Sequence, residues 1–238
     1  MAKPRSIKTV VFKQLVLSLV LSSCLFLGNG CGQGGETIVS PVVDTQPRIG
    51  GTFRRAFSSP FMTLDPSEVA DSFSHEVCRQ LYDGLVEFDQ EAQVAPVLAE
   101  RWEISFDRLT YTFTLRSDVR FHATIGLVDQ PTRNGGRLFT AEDVDFTFHR
   151  LLEPKVKDRR GLEFLLIKGA QEYHDGKAPR IDGIRVLDTN RVSFTLAKPF
   201  APFLQLLALS NALIVPREDS SGDDPGLRKV PVGSGPFR

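Results

Sequence analysis

From residue 50 onward the apolar positions fall into short blocks whose period switches between two and about four. Residues 51–57, with Phe53, Arg54, Arg55 and Phe57, alternate bulky apolar with polar side chains and predict a half-buried strand. Ser58-Ser59-Pro60 and Leu64-Asp65-Pro66 then punctuate the chain. From Ser72 to Leu85, Phe73, Val77, Leu81 and Leu85 recur every four positions. This predicts a helix with those four residues on its buried face, ending near Gly84. Residues 96–102 read as a short turn leading to a strand. Thr110 to Arg116 set Tyr111, Phe113 and Leu115 against threonines, the clearest strand of the chain.

No period survives in residues 121–139, a loop running through Pro131 and Asn134-Gly135-Gly136. Thr140-Ala141-Glu142-Asp143 then opens a helix with a capping box, in which Thr140 accepts from the Asp143 amide and the Asp143 carboxylate answers the Thr140 amide. Val144, Phe148, Leu151 and Leu152 form its buried stripe and Pro154 stops it. Residues 184–187 and 191–196 read as two strands joined at Asp188-Thr189-Asn190, and residues 200–209 as a short apolar helix before Leu213-Ile214-Val215-Pro216. The element order is mixed α/β, with an α+β-like sheet order, no βαβ rhythm and no internal repeat.

The N-terminal stretch has a different character. Lys3, Arg5, Lys8 and Lys13 precede the apolar run from Leu15 to Leu27, with no acidic residue before Glu36. That is the order of a secretory leader. The run is shorter than the roughly 20 residues a helix needs to cross a bilayer, so cleavage is expected rather than a permanent span. Residues 1–31 are read as a lipoprotein signal peptide ending at a lipidated cysteine. Cys31 is preferred because it closes the apolar run and opens onto Gly32-Gln33-Gly34-Gly35; Cys24, in Leu21-Ser22-Ser23-Cys24, is the alternative. Residues 32–49, rich in Gly, Thr, Pro and Gln, read as a flexible tether. The expected location is extracytoplasmic, in the periplasm or at the cell surface, held by a lipid anchor. Only Cys78 lies in the body of the chain, so no disulfide framework forms within it.

Composition adds limits. Lys and Arg number 29 and so do Asp and Glu, so no global field draws nucleic acid or anionic lipid. The 41% hydrophobic content is that of a folded globular chain. Catalytic patterns are weak. Residues 30–35 satisfy GxGxxG but sit at the leader junction, where a glycine-rich linker meets the pattern by composition. His75, His122, His149 and His174 are scattered without metal spacing, and His75 and His149 read as solvated helix-surface histidines. Neither a metal nor a cofactor is expected. Glu142, Asp143 and Asp145 occupy a helix's first turn, where negative charge complements the macrodipole. Gly233-Ser234-Gly235 lacks the spacing of a nucleophile elbow. Phe53-Arg54-Arg55 reads as sheet surface rather than a stacking platform for single strands.

An ordered set of phrases resembles the family 5 extracellular solute-binding proteins, receptors for peptides, nickel chelates and related solutes that serve ATP-driven importers. The phrases are Gly50-Gly51-Thr52-Phe53, Leu64-Asp65-Pro66, Leu81-Tyr82-Asp83-Gly84-Leu85-Val86 and Pro96-Val97-Leu98-Ala99-Glu100-Arg101-Trp102. Tyr111-Thr112-Phe113-Thr114-Leu115-Arg116, Val119-Arg120-Phe121-His122, Phe139-Thr140-Ala141-Glu142-Asp143-Val144 and Pro231-Val232-Gly233-Ser234-Gly235-Pro236-Phe237 complete it.

The resemblance implies a periplasmic-binding-protein-like fold of two α/β lobes closing on solute, with residues 50–238 supplying mainly the N-terminal lobe. The last residues form a glycine and proline turn that begins a strand, which predicts a truncated product whose second lobe is absent. A lone lobe is expected not to retain solute at micromolar concentration. By the family's pattern, Asp71, Ser72, Phe73 and Ser74 form the segment that offers backbone groups to an extended ligand. Asp71 or Ser72 also suits the cap of the following helix. The implied role is the substrate-binding component of an ABC importer, without enzymatic activity. It captures oligopeptide or dipeptide for permease subunits, with a nickel chelate or sugar-like ligand as alternative solutes. The rival reading is a secreted enzyme whose catalytic residues lie beyond Arg238. One departure is residues 123–138, inserted where the family has a short glycine turn, which either line the cleft or decorate its back.

Overall fold

The computed structural model describes residues 50–52, 54–125, 130–154, 160–220 and 226–238. Cys24, Cys31, the leader, the tether and Phe53 lie outside the described residues. The chain divides after Arg54, and every element below belongs to the unit Arg55–Arg238.

A four-stranded antiparallel sheet forms its centre: β3 (Ala99–Ile104), β4 (Thr110–Leu115), β7 (Ile184–Asp188) and β8 (Arg191–Thr195), in the order β3-β4-β8-β7. Each hairpin joins chain neighbours, and the long-range seam is β4 on β8, with Tyr111 opposite Phe194 and Phe113 opposite Val192. On β4 the expected alternation holds, with Tyr111, Phe113 and Leu115 buried. Two smaller hairpins flank the sheet, β1 (Val86–Phe88) with β2 (Val94–Pro96) and β5 (Thr124–Ile125) with β6 (Gln130–Pro131).

Helix α2 (Ala141–Leu151) lies against β7 and β8, as its stripe predicts: Val144, Phe148, Leu151 and Leu152 are all buried. Its capping box is formed, the Thr140 amide donating to Asp143 Oδ2 at 3.0 Å. Phe148 meets Phe194 edge-on at 5.0 Å and Phe164 at 5.1 Å. Phe194 in turn meets Phe113 at 5.8 Å and, beyond the short α3 (Ala170–His174), Phe203 of α4 (Phe203–Leu207) at 5.7 Å. Such pairs contribute roughly 0.5–1.5 kcal/mol each beyond their buried area, and they join three chain-distant segments into one core. The expected strand pair 184–187/191–196 and the short helix within 200–209 are both present.

Helix α1 (Ser72–Leu81) departs from expectation in length and in face. It stops at Leu81 rather than near Gly84, because the next carbonyls are taken by tertiary partners: Asp83 accepts from the Ile214 amide and Gly84 from the Leu98 amide. Its buried positions are Ser74, Cys78 and Leu81, whereas Phe73 and Val77 are only half-buried. Ser74 tolerates burial because its hydroxyl accepts from the Met62 and Thr63 amides, at 2.8 and 3.1 Å. Cys78, Leu81 and Tyr82 pack with Leu213, Val215, Leu227 and Val232 into a second apolar cluster.

Two further expectations are corrected. Residues 51, 52 and 54–57 form no strand; alternation needs a paired neighbour to become one, and here Phe57 instead meets the Phe73 ring edge-on at 5.8 Å. His149 is not a solvated histidine. Its Nε2 accepts from the Ile181 amide at 3.0 Å, so Nδ1 carries the proton and donates to the Asp145 carbonyl at 2.8 Å, with the Tyr173 ring across it.

Candidate functional site

The site begins with a turn built by one carboxylate. Asp65 Oδ1 accepts from the Ser67 amide at 3.0 Å and the Ser67 hydroxyl at 2.8 Å, starting the 3-10 turn Pro66–Glu68. Arg150 of α2 grips Asp65 with two guanidinium nitrogens, one of them 2.9 Å from Oδ1, and reaches Ser67 Oγ at 2.9 Å. Burial pushes the Asp65 carboxyl upward, yet the hydrogen bonds and charge of Arg150 outweigh it and hold the group below the usual carboxylate range. The turn is thereby pinned to the core, and the segment after it is delivered to a fixed place.

That segment reaches Asp71, the N-cap of α1, whose Oδ1 accepts from the Ser74 amide at 2.8 Å. The Ser74 hydrogen bonds hold the Asp71 carboxyl below its ordinary range. Residues 69–72 and His75 form one wall of a cavity of about 350 Å³, and residues 209–211 form the other. The expected binding residues therefore divide. Asp71 and Ser72 line the cavity; Phe73 turns to Phe57, and Ser74 is buried in the fold beneath.

The second wall was not foreseen. Ser210 Oγ and His75 Nδ1 lie 2.5 Å apart, and Arg79 of α1 donates to the Ala208 carbonyl at 3.3 Å while pairing with Glu87 at 3.1 Å. Asn211 donates its amide nitrogen to the Arg160 carbonyl and the Glu163 carboxylate. Burial, then the nearby Arg79 charge, lowers the His75 pKa, so the ring is neutral at neutral pH. Residues 209–211 lie far along the chain from α1 and carry no periodic or motif signal, so only the fold reveals them. Two side-chain oxygens of this site, Asp71 Oδ2 and Asn211 Oδ1, are buried without a hydrogen-bond partner.

The other features of interest are structural. Cys78 is buried, its thiol pushed up to about 12 by burial and by the charges of Asp65 and Asp71. Ser234 donates to Asp83 Oδ2 at 2.8 Å, and His122 Nε2 donates to the Gly235 carbonyl at 2.8 Å. Glu142 stands 3.8 Å from Arg217, Asp143 is paired with Arg137 at 2.6 Å, and Asp145 with Arg180 at 3.6 Å. The described part of the insertion is tied to α5 (Arg217–Ser220) and is not among the cavity's lining. Asp219 there accepts from the Arg133 and Asn134 amides at 2.8 and 3.1 Å, and Glu218 pairs with Arg137 at 2.7 Å. A second hollow, about 410 Å³, lies beside residues 96–100 and the exposed ion pair Arg116–Asp118; it holds no unpartnered buried side-chain oxygen.

Comparison with known proteins gives one family. The profile of the bacterial extracellular solute-binding proteins, family 5, matches residues 93–238. Di/tripeptide-binding protein 2 of Pseudomonas aeruginosa is 32% identical over 83% of this chain and 36% of its own length. Heme-binding protein A of Haemophilus influenzae is 31% identical over 94% of this chain and 41% of its own length. Among solved structures, Haemophilus influenzae OppA in complex with RPPGFSPFR superposes with a TM-score of 0.61 at 27% identity, covering 73% of this chain and 32% of that one. The chain thus spans well under half the length of these relatives.

Proposed function

The chain belongs to the family 5 extracellular solute-binding proteins of bacteria, and from that membership we propose that it is the solute-capturing part of an ABC importer, with peptide as its solute. What carries the reading is the cavity between residues 69–72 and 209–211, on the segment where the family offers backbone groups to its ligand. The first amides of a helix have no internal acceptor; in α1 the Ser74 amide is taken by the Asp71 cap, which leaves the Ser72 amide, on the cavity wall, as the main-chain donor for whatever enters. Main-chain pairing is indifferent to side chains, and one site then serves many peptides. The name of the Pseudomonas relative supports peptide over other solutes. No covalent step is required; capture is reversible, and delivery passes to permease subunits.

The test is a titration of the full chain with a mixture of short peptides, followed by amide NMR, with Ser72 and Ser210 as reporters. Their signals are expected to move at millimolar peptide.

Lipidation completes the proposal. Acylation at Cys31, or at Cys24 as the alternative, tethers the receptor beside its permease through residues 32–49, in the periplasm or at the cell surface. A Cys31→Ser variant is expected to lose labelled palmitate and leave the membrane fraction. Retention of both would move the anchor to Cys24.

A further inference from the structure

The turn that joins β3 to β4 is closed by its own side chains. Asp107 Oδ1 accepts from the Ser105 hydroxyl and, at 3.0 Å, from the Leu109 amide, while Ser105 Oγ accepts from the Thr110 amide at 2.9 Å. The Arg108 amide donates to the Ser105 carbonyl at 2.8 Å. This firm turn presents more than a chain reversal needs. Phe106 is entirely exposed, and Arg108 sits at φ +58°, a left-handed conformation that glycine takes at less cost.

Other exposed apolar and cationic side chains gather at the same end of the sheet. Ile104 and Phe200 are 46% and 37% exposed; Ile104 pairs with Tyr111, whose hydroxyl donates to the Phe200 carbonyl at 3.5 Å. The Leu196 amide donates to the Leu109 carbonyl at 2.8 Å, which brings Lys198 to this end as well. Arg108 and Lys198 are exposed, and neither is ion-paired among the described residues. Asp107 is the one carboxylate of the turn, and Glu103, one strand position before Ile104, points to the other face of the sheet. The chain as a whole carries no net charge, but this tip is locally cationic.

We propose that the β3–β4 tip is a membrane-contact surface, where Phe106, with Ile104 and Phe200, enters the interfacial layer of a bilayer while Arg108 and Lys198 meet anionic lipid phosphates. Aromatic rings settle at the headgroup level, and each cation near an anionic surface raises partitioning about fivefold. A convex turn offers no groove for a rigid partner to fill, whereas a bilayer deforms around it. The proposal rests on the tethered reading, which keeps the body close to a membrane.

The test mixes the full, isotopically labelled chain with bicelles that carry a nitroxide lipid, made of phosphatidylcholine with or without phosphatidylglycerol. The amides of residues 104–108, Lys198 and Phe200 are expected to relax about fivefold faster when phosphatidylglycerol is present. Phe106→Ser changes a fully exposed side chain and Arg108→Gly relieves the left-handed φ, so neither threatens the fold. Both are expected to lose most of the enhancement. Tip amides that relax no faster than the rest of the body, or variants that keep the full enhancement, would overturn the proposal. Tip signals that follow protein concentration alone would assign the surface to a second copy, and shifts with solubilised envelope proteins but not with lipid would assign it to a protein; either result overturns the lipid occupant. The palmitate experiment reads the tether separately. Acylation with a silent tip refutes this surface and leaves the tether standing, and a responsive tip without acylation upholds the surface and removes the tether.

Discussion

Asp65 shows how a single residue positions a cavity-lining segment it does not itself belong to. Its side chain is 4% exposed and that of its partner Arg150 is 11% exposed. Removing one member of such a pair leaves the other charge buried, at about 3–5 kcal/mol. Arg150→Ala is therefore expected to lose about that much stability in urea unfolding, a loss under 1 kcal/mol being inconsistent with the pinning described. The pair also sets an acid limit. Free aspartate titrates near pH 3.9, and the folded state holds Asp65 lower. The stability from this group is present above that pH and is lost as pH falls through the folded value. At the same scale the sequence was a partial guide. Asp71 was legible as a cap, because Asx residues before an apolar period have that use. The partners of Ser74 and Asn211 were not, since a short polar side chain gives no sign of which distant backbone it will meet.

Among the elements, those whose burial follows from their own period are legible in the sequence alone. Strand β4 and helix α2 are of this kind, each burying the residues its alternation or stripe nominates. Helix α1 is different: a four-residue period ran through Phe73 and Val77, and the buried face turned out to be one residue further on, through Ser74 and Cys78. A serine with two amide donors can replace an apolar residue in the interior, and no hydropathy pattern records that. The same holds at the end of α1, where the approach is backbone on backbone. A Cβ on Gly233 would stand 2.1 Å from the Leu81 carbonyl oxygen and one on Gly235 2.6 Å from the Leu81 carbonyl carbon. These contacts seat residues 233–237, whose Gly235 and Phe237 amides donate to Leu81 and Gln80 at 3.0 Å each. Gly233→Ala is expected to cost about 1–3 kcal/mol, by the scale of overpacking, and to release both amides to hydrogen exchange while β4 stays protected. Equal protection in the variant and the parent would contradict the close packing described here.

For the whole molecule, the mixed α/β class and the family were readable because they rest on many short phrases spread from residue 50 to the end. The site was readable only on one side. Its near wall follows a phrase, Leu64-Asp65-Pro66, at fixed spacing, whereas its far wall is placed by the Phe113–Phe148–Phe194–Phe203 core and by the β4–β8 seam, which join residues far apart in sequence. Non-local contacts of this sort are set by the sum of packing choices rather than by any local pattern. The central claim is that both walls meet one peptide. It is tested most directly by titrating the isotopically labelled full chain with short peptides to millimolar concentration and mapping the amides that shift. The account predicts saturable shifts at residues 69–72 and 209–211 together, with β3 and the insertion unmoved. Shifts confined to the hollow beside Arg116, or none at either wall, would contradict it.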